Sequence, residues 1–251
     1  MKVYFDESMS GDGNILLLGM LIVPDGATRL LHQLISKEYK KRKFKKEIKY
    51  MNITDRFYLK SAQEILSSFS SLEEAYFRCV CIKNDAKSLR VSDEKQLKSA
   101  RLGLYIDTAI KLIKANIEQG VKVDIYMDRE QKVEKTELRN KLINANFENG
   151  AKINSLTFID SASRANCLLS IPDLLLGGVL QNLFPSTSIS KTYKRDFSEF
   201  QRLLFGVEDF KEETWVKIPL WKAKKYKKKF HLSYWPVPNF HEFARKKKSR
   251  S

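Results

Sequence analysis

The spacing of apolar and polar positions divides the chain into a succession of strands and helices. Residues 2–6 and 14–23 are short runs rich in β-branched and apolar side chains, which predicts two strands. Between them, Ser8-Met9-Ser10-Gly11-Asp12-Gly13 is turn chemistry, so the pair reads as a hairpin. Residues 27–41 place Leu30, Leu31, Leu34 and Ile35 on one helical face. Residues 54–69 repeat the helical pattern, with Thr54 as the expected cap. Residues 75–82 alternate as a strand that turns Cys79 and Cys81 to the same side. A cap at Ser92 or Asp93 opens a long helix that reaches Glu118 and is ended by Gly120. Its apolar stripe is Leu102, Ile106, Ile110, Ile113 and Ile117. A strand over 121–127, a helix over 135–147 and a strand over 153–159 follow. Residues 166–183 are too apolar for a surface helix, and 184–213 are polar, with Pro185, Ser186, Thr187 and Ser188 marking a loop.

This order predicts an α/β layer structure, a mixed sheet flanked by helices. Residues 1–183 form the expected domain, and residues 184–251 form a basic, aromatic-rich C-terminal extension packed on or linked to it. A hydrophobic content of 43% with 30% charged residues suits a folded chain of 251 residues. The apolar runs, such as 15–23, stop well short of the roughly 18 residues of a membrane span, so no membrane partner is expected. Met1-Lys2 leads straight into a strand-like segment, so no secretory signal is expected. Cys79, Cys81 and Cys167 are odd in number and lack zinc spacing. Packing roles and a cytoplasmic location are expected.

Charge adds a partner. The net charge of +16 makes nucleic acid, DNA or RNA, the expected substrate. From residue 214 to 251 there are twelve Lys or Arg against one acid, Glu242. Lys222, Lys224, Lys225, Lys227, Lys228 and Lys229 crowd together between Trp221 and Phe230. Basic groups among aromatic rings suit phosphates and stacked bases. The alternative is a packed appendage with a solvated basic edge. Lys45, Lys46 and Lys49 form a second basic segment.

Within this basic chain, a set of acids stands out. Asp6 closes the run Val3-Tyr4-Phe5, and Asp128 ends Ile125-Tyr126-Met127. Glu47 lies among the lysines of the second basic segment, and Asp173 sits in Ser170-Ile171-Pro172-Asp173-Leu174-Leu175. Acids at strand ends can converge on one sheet edge, where they repel unless cations neutralise them. Hard oxygen donors suit Mg2+ or Mn2+. Two such ions roughly 3.5–4 Å apart can activate water and stabilise both oxygens of a phosphodiester displacement. Asp6 is the expected bridging ligand, Asp128 holds one ion, and Glu47 and Asp173 complete the set. Asp160, also at a strand end, competes with Asp173, and Glu7 points to the opposite face as a lesser candidate. Each has a plainer role: a turn with Ser8 for Asp6, a pair with Arg129 for Asp128, surface lysine pairs for Glu47, a helix first turn for Asp173 and a cap for Asp160. His32, His231 and His241 are scattered, and neither a Gly-x-Ser-x-Gly elbow nor a phosphate loop is present.

In order and spacing, Phe5-Asp6-Glu7-Ser8, Glu47-Ile48-Lys49, Asp128, Asp160-Ser161 and the helix from Asp173 to Gly177-Gly178 resemble the family called domain of unknown function 3800, a divergent RNase H-like group. The resemblance covers residues 1 to about 183. Two departures stand out. Met9 follows Asp-Glu-Ser where the family has Gly, and Ser170-Ile171-Pro172-Asp173 replaces Gln-x-Ala-Asp. The resemblance implies a metal-dependent nuclease, with Asp6, Glu47, Asp128 and Asp173 as catalytic ligands, in a defence or mobile-element setting that includes a protein partner. The departures support a rival: a non-catalytic nucleic-acid-binding or complex-forming protein with a degenerate site. A phosphatase of small nucleotides is a third reading.

Six ammonium groups so close together cannot all be buried. If they meet phosphates, neutralising three of them should lower the slope of log affinity against log salt by roughly 2–3. A slope equal to wild type would assign the run to a solvated face or a protein contact.

Overall fold

The computed structural model describes residues 1–11, 13–44, 48–83, 89, 92–118, 120–128, 135–145, 152–159, 164–184, 192–206 and 230–235. Six strands form one sheet: β1 (Lys2–Met9), β2 (Ile15–Val23), β3 (Tyr76–Lys83), β4 (Lys122–Asp128), β5 (Lys152–Ile159) and β6 (Phe230–Trp235). Their order across the sheet is β5-β4-β1-β2-β3-β6. β2 is antiparallel to both β1 and β3, whereas β4 runs parallel to β1 and β5 parallel to β4. β6 lies parallel to β3 at the far edge. The expected α/β architecture with a mixed, helix-flanked sheet is therefore present.

β2 occupies the middle because nearly all of its side chains are apolar and buried, which requires cover on both faces. The hairpin joining it to β1 closes through Gly13, whose amide donates to the Ser10 carbonyl at 2.8 Å. Gly13 has φ of 73°, the left-handed conformation that glycine adopts without strain.

Helices cover the two faces with separate apolar layers. On one face lie α1 (Asp25–Lys41), α2 (Arg56–Ser70), a 3-10 turn (Arg164–Leu169), α5 (Ser170–Leu183) and α6 (Thr192–Leu204). α3 (Glu94–Asn116) and α4 (Lys135–Ile143) pack on the other. Cys79, Cys81 and Cys167 are buried free thiols, and all three lie in the first layer. Among the described residues, no helix is long and apolar enough to cross a membrane.

Several boundaries differ from the sequence expectation. β1 continues past Asp6 to Met9, because Glu7, Ser8 and Met9 still pair with Leu18, Leu17 and Leu16. Asp55 caps α2 in place of Thr54, with its carboxylate accepting from the Tyr58 amide at 2.9 Å. Asp93 caps α3 in the same way, through the Gln96 amide at 2.8 Å. The apolar stretch 166–183 is a 3-10 turn followed by α5, so Pro172 sits in a first helical turn where its missing N–H is harmless. Residues 192–204 are helical where polarity suggested loop. Phe197 of this helix α6 is buried in the first layer.

Gly177 of α5 faces the Tyr50 ring so closely that a Cβ there would overlap it. Gly177→Ala should therefore cost about 1–3 kcal/mol through overpacking, despite the better helix propensity of Ala. The check is a denaturant midpoint, and an unchanged value would show that Tyr50 has room to move.

Candidate functional site

The β1–β4 ladder runs from Lys2 opposite Asp124 to Phe5 opposite Met127. Asp6 and Asp128 stand next in line, side by side on adjacent parallel strands. Tyr4 belongs to the apolar layer under α1 and α5, and Tyr126 packs against it. Strand alternation then turns Asp6 and Asp128 to that same face. Asp128 is buried, and Asp6 is half-buried with Oδ1 accepting from the Glu7 amide at 2.9 Å.

Asp173 reaches this place from the first turn of α5, which packs on β1 and β2. Its carboxylate accepts a short hydrogen bond from the Tyr50 amide. The segment that carries Tyr50 is held by Tyr39 of α1, whose hydroxyl accepts from the Ile48 amide at 2.7 Å. The same hydroxyl lies 2.6 Å from Ser170 Oγ at the start of α5. One phenol thus joins α1, residues 48–50 and α5. Ser170 is fully buried, with the Tyr39 hydroxyl as its partner.

Between the acids stands Lys49. Its ammonium donates to Asp128 Oδ2 at 2.8 Å, and its charge also acts on Asp173. Lys49 was expected among the phosphate-binding lysines, yet its head is turned onto the carboxylates. Lys194 of α6 adds a second cation, with Nζ 5.3 Å from the centre of the Tyr50 ring. Burial pushes the Asp173 carboxyl up to about 6; the Tyr50 amide and Lys49 oppose the rise, Asp128 reinforces it and Lys194 opposes it.

Glu7 is the residue the sequence undervalued. Alternation turns it to the α3 face, where the Tyr105 hydroxyl lies beside it. Even so, it remains within the field of Asp128. Burial first, then Asp128, pushes the Glu7 carboxyl up to about 7, while Tyr105 opposes the rise. Its Oε2 is enclosed without a hydrogen bond of good geometry. The sequence signal was the second acid of Asp6-Glu7, ranked lower because a continuing strand turns it to the opposite face, and the strand does continue.

The structure therefore gathers Asp128, Asp173, Lys49 and Glu7, with Asp6 beside Asp128 by register. Glu47, Lys45, Lys46, Asp160, Trp221, Lys222, Lys224, Lys225, Lys227, Lys228 and Lys229 lie outside the described residues. Among the described residues, no group of three or more His, Cys, Asp or Glu side chains is arranged as a ready metal cage. The donor chemistry nevertheless fits a hard cation. The groups on the shared face are carboxylate oxygens, and the Lys49 ammonium already stands where positive charge is wanted.

The raised carboxyls make stability depend on pH. In the unfolded chain Glu7 and Asp173 titrate near their ordinary values of 4.5 and 3.8, and in the fold near 7 and 6. The native state holds these protons more tightly. Their stabilisation is complete below about pH 4 and is lost as pH rises through about 7. The melting temperature should fall between about pH 5 and pH 8, and Glu7→Gln should flatten that fall. An equally steep profile in Glu7→Gln would mean that Glu7 titrates normally.

No family model matches the chain, and no match among curated proteins was found.

Proposed function

We propose that this protein is a metal-dependent nuclease with an RNase H-like domain, which hydrolyses phosphodiester bonds of DNA or RNA. The observation that carries the reading is the convergence of acids from separate elements: Asp6 beside Asp128 at the same end of parallel strands, with Asp173 of α5 in the field of Asp128. Acids brought together at the cost of burial need a function or a counter-charge.

In this reading Asp6, Asp128 and Asp173 would hold Mg2+ or Mn2+, Glu47 and Asp160 remain candidate ligands, and Glu7 lies behind the site. The bound ion supplies Lewis-acid stabilisation of the phosphate and lowers the pKa of water. The Tyr50 amide orients Asp173, and the Tyr39 hydroxyl keeps that amide in place. Lys49 donates to Asp128, and its ammonium would add positive charge beside a phosphate at the site. The basic segment with Trp221 and the lysines of 222–229 would hold the polymer across the site. An intracellular setting and a role against foreign nucleic acid, in company with a protein partner, complete the reading.

The Lys49–Asp128 ion pair also favours a second reading. A carboxylate neutralised internally needs no metal, as in a non-catalytic nucleic-acid-binding or complex-forming protein with a degenerate site. Labelled single-stranded and duplex DNA, RNA and hybrid, incubated with Mg2+ or Mn2+, separate the two. The nuclease reading expects cleavage that Asp6→Asn abolishes, a loss of at least about a hundredfold, with nucleic-acid affinity equal or higher because a repulsive charge is gone. Binding without product under either metal would establish the second reading. Equal turnover by Asp6→Asn would remove Asp6 from the site.

A further inference from the structure

Beside Tyr126, the described residues leave a gap between α1 and the β4–β1 part of the sheet. This cleft has a volume of about 550 Å3. That volume lies within the range of small-ligand sites. Its floor is aromatic: the Tyr4 and Tyr126 rings stack with centroids 5.0 Å apart and planes 19° from parallel. Lys2 Nζ stands 5.8 Å from the Tyr126 centroid, and Arg29 and His32 of α1 line the facing wall. Asp25, the acid of this cleft, accepts from the Met1 amino group at 2.9 Å. The surroundings are therefore a flat ring surface with an excess of positive charge.

Position ties the cleft to the acids. Tyr4 precedes Asp6 by two residues and Tyr126 precedes Asp128 by two, on the same sheet face. Two residues of strand span about 7 Å. A ligand seated on the rings thus lies one pleat from the carboxylates.

We propose that this cleft is a subsite for one unpaired nucleotide of a single strand, its base against Tyr126 and its phosphate on Lys2 and Arg29. The assignment rests on the nuclease reading only for its direction, with the adjacent phosphate led towards Asp6 and Asp128. An aromatic floor suits any base, because each has a π face. Cations on either side suit the phosphate. A base held in a duplex is already stacked and paired, so it cannot enter a cleft walled by α1.

The test is photo-crosslinking of the full chain to a short single strand carrying 5-iodouridine, in chelator and at about 0.15 M salt so that catalysis is not needed and distant basic contacts are screened. The adduct is mapped by mass spectrometry. The expected adduct is on Tyr126 or Tyr4, competed by unlabelled single strand and not by duplex of the same sequence. Tyr126→Leu should lower its yield about tenfold, with the circular dichroism spectrum confirming the fold. Should that variant fail to fold, Lys2→Ala with Arg29→Ala must weaken binding of the short strand several-fold. Adducts only elsewhere in the chain overturn the proposal, as does unchanged binding by the double variant. Crosslinking by 5-iodouridine monophosphate that single strand cannot displace also overturns it, by assigning the cleft to free nucleotides. An adduct on Tyr126 without cleavage in any metal would leave the subsite standing and remove the nuclease reading. Cleavage with adducts only elsewhere would do the reverse.

Discussion

Four parallel pairs between β1 and β4 decide where the chemistry of this protein can lie. They set Asp6 next to Asp128, and they set Tyr4 beside Tyr126 one pleat behind. A slip of β1 by one residue would turn Asp6 to the face opposite Asp128 and bring Glu7 round in its place. Such a slip is resisted by the layers on either side, since Val3 and Phe5 are fully buried under α3 and Tyr4 is buried under α1. Register here is a consequence of core packing, and the site inherits its precision from the core.

Given that register, α5 completes the arrangement. Its apolar residues Leu174, Leu175 and Leu176 are buried against the sheet and helices, which leaves Asp173 in the first turn directed at the strand ends. Gly177 clears space for the Tyr50 ring, and the Tyr50 amide meets Asp173. Tyr39 fastens this segment to α1 and to Ser170. Asp173 is thereby held by a backbone amide and by packing, whereas Asp128 is held by its ion pair with Lys49.

Their mutual repulsion is then met from two sides. Lys49 and Lys194 supply positive charge, and the raised carboxyl of Glu7 permits it to be neutral near physiological pH. Carboxyls raised in this way change their charge as pH passes through the neutral range. The cleft at Tyr4 and Tyr126 shares the same sheet face, so a single polymer could lie along cleft and acids without crossing the sheet edge.

Local chemistry alone was enough for much of this protein. Alternation and helical spacing revealed five strands and most helices, because their apolar stripes are strong and their caps and glycines stand at the ends. The same logic placed Asp128 at a strand end. It failed where long-range contact overrules composition. β1 outruns its apolar stretch because β2 continues to pair with it, and the polar segment 192–204 is helical because Phe197 and Gln201 pack on α5. β6 pairs with β3 from a sequence distance that no local pattern reveals. For the site, acid identity was legible, but company was not. That Lys49 turns inward, that Tyr39 bridges α1 to α5, and that Glu7 feels Asp128 from the other face follow from strand order and helix docking, which bring together groups far apart along the chain.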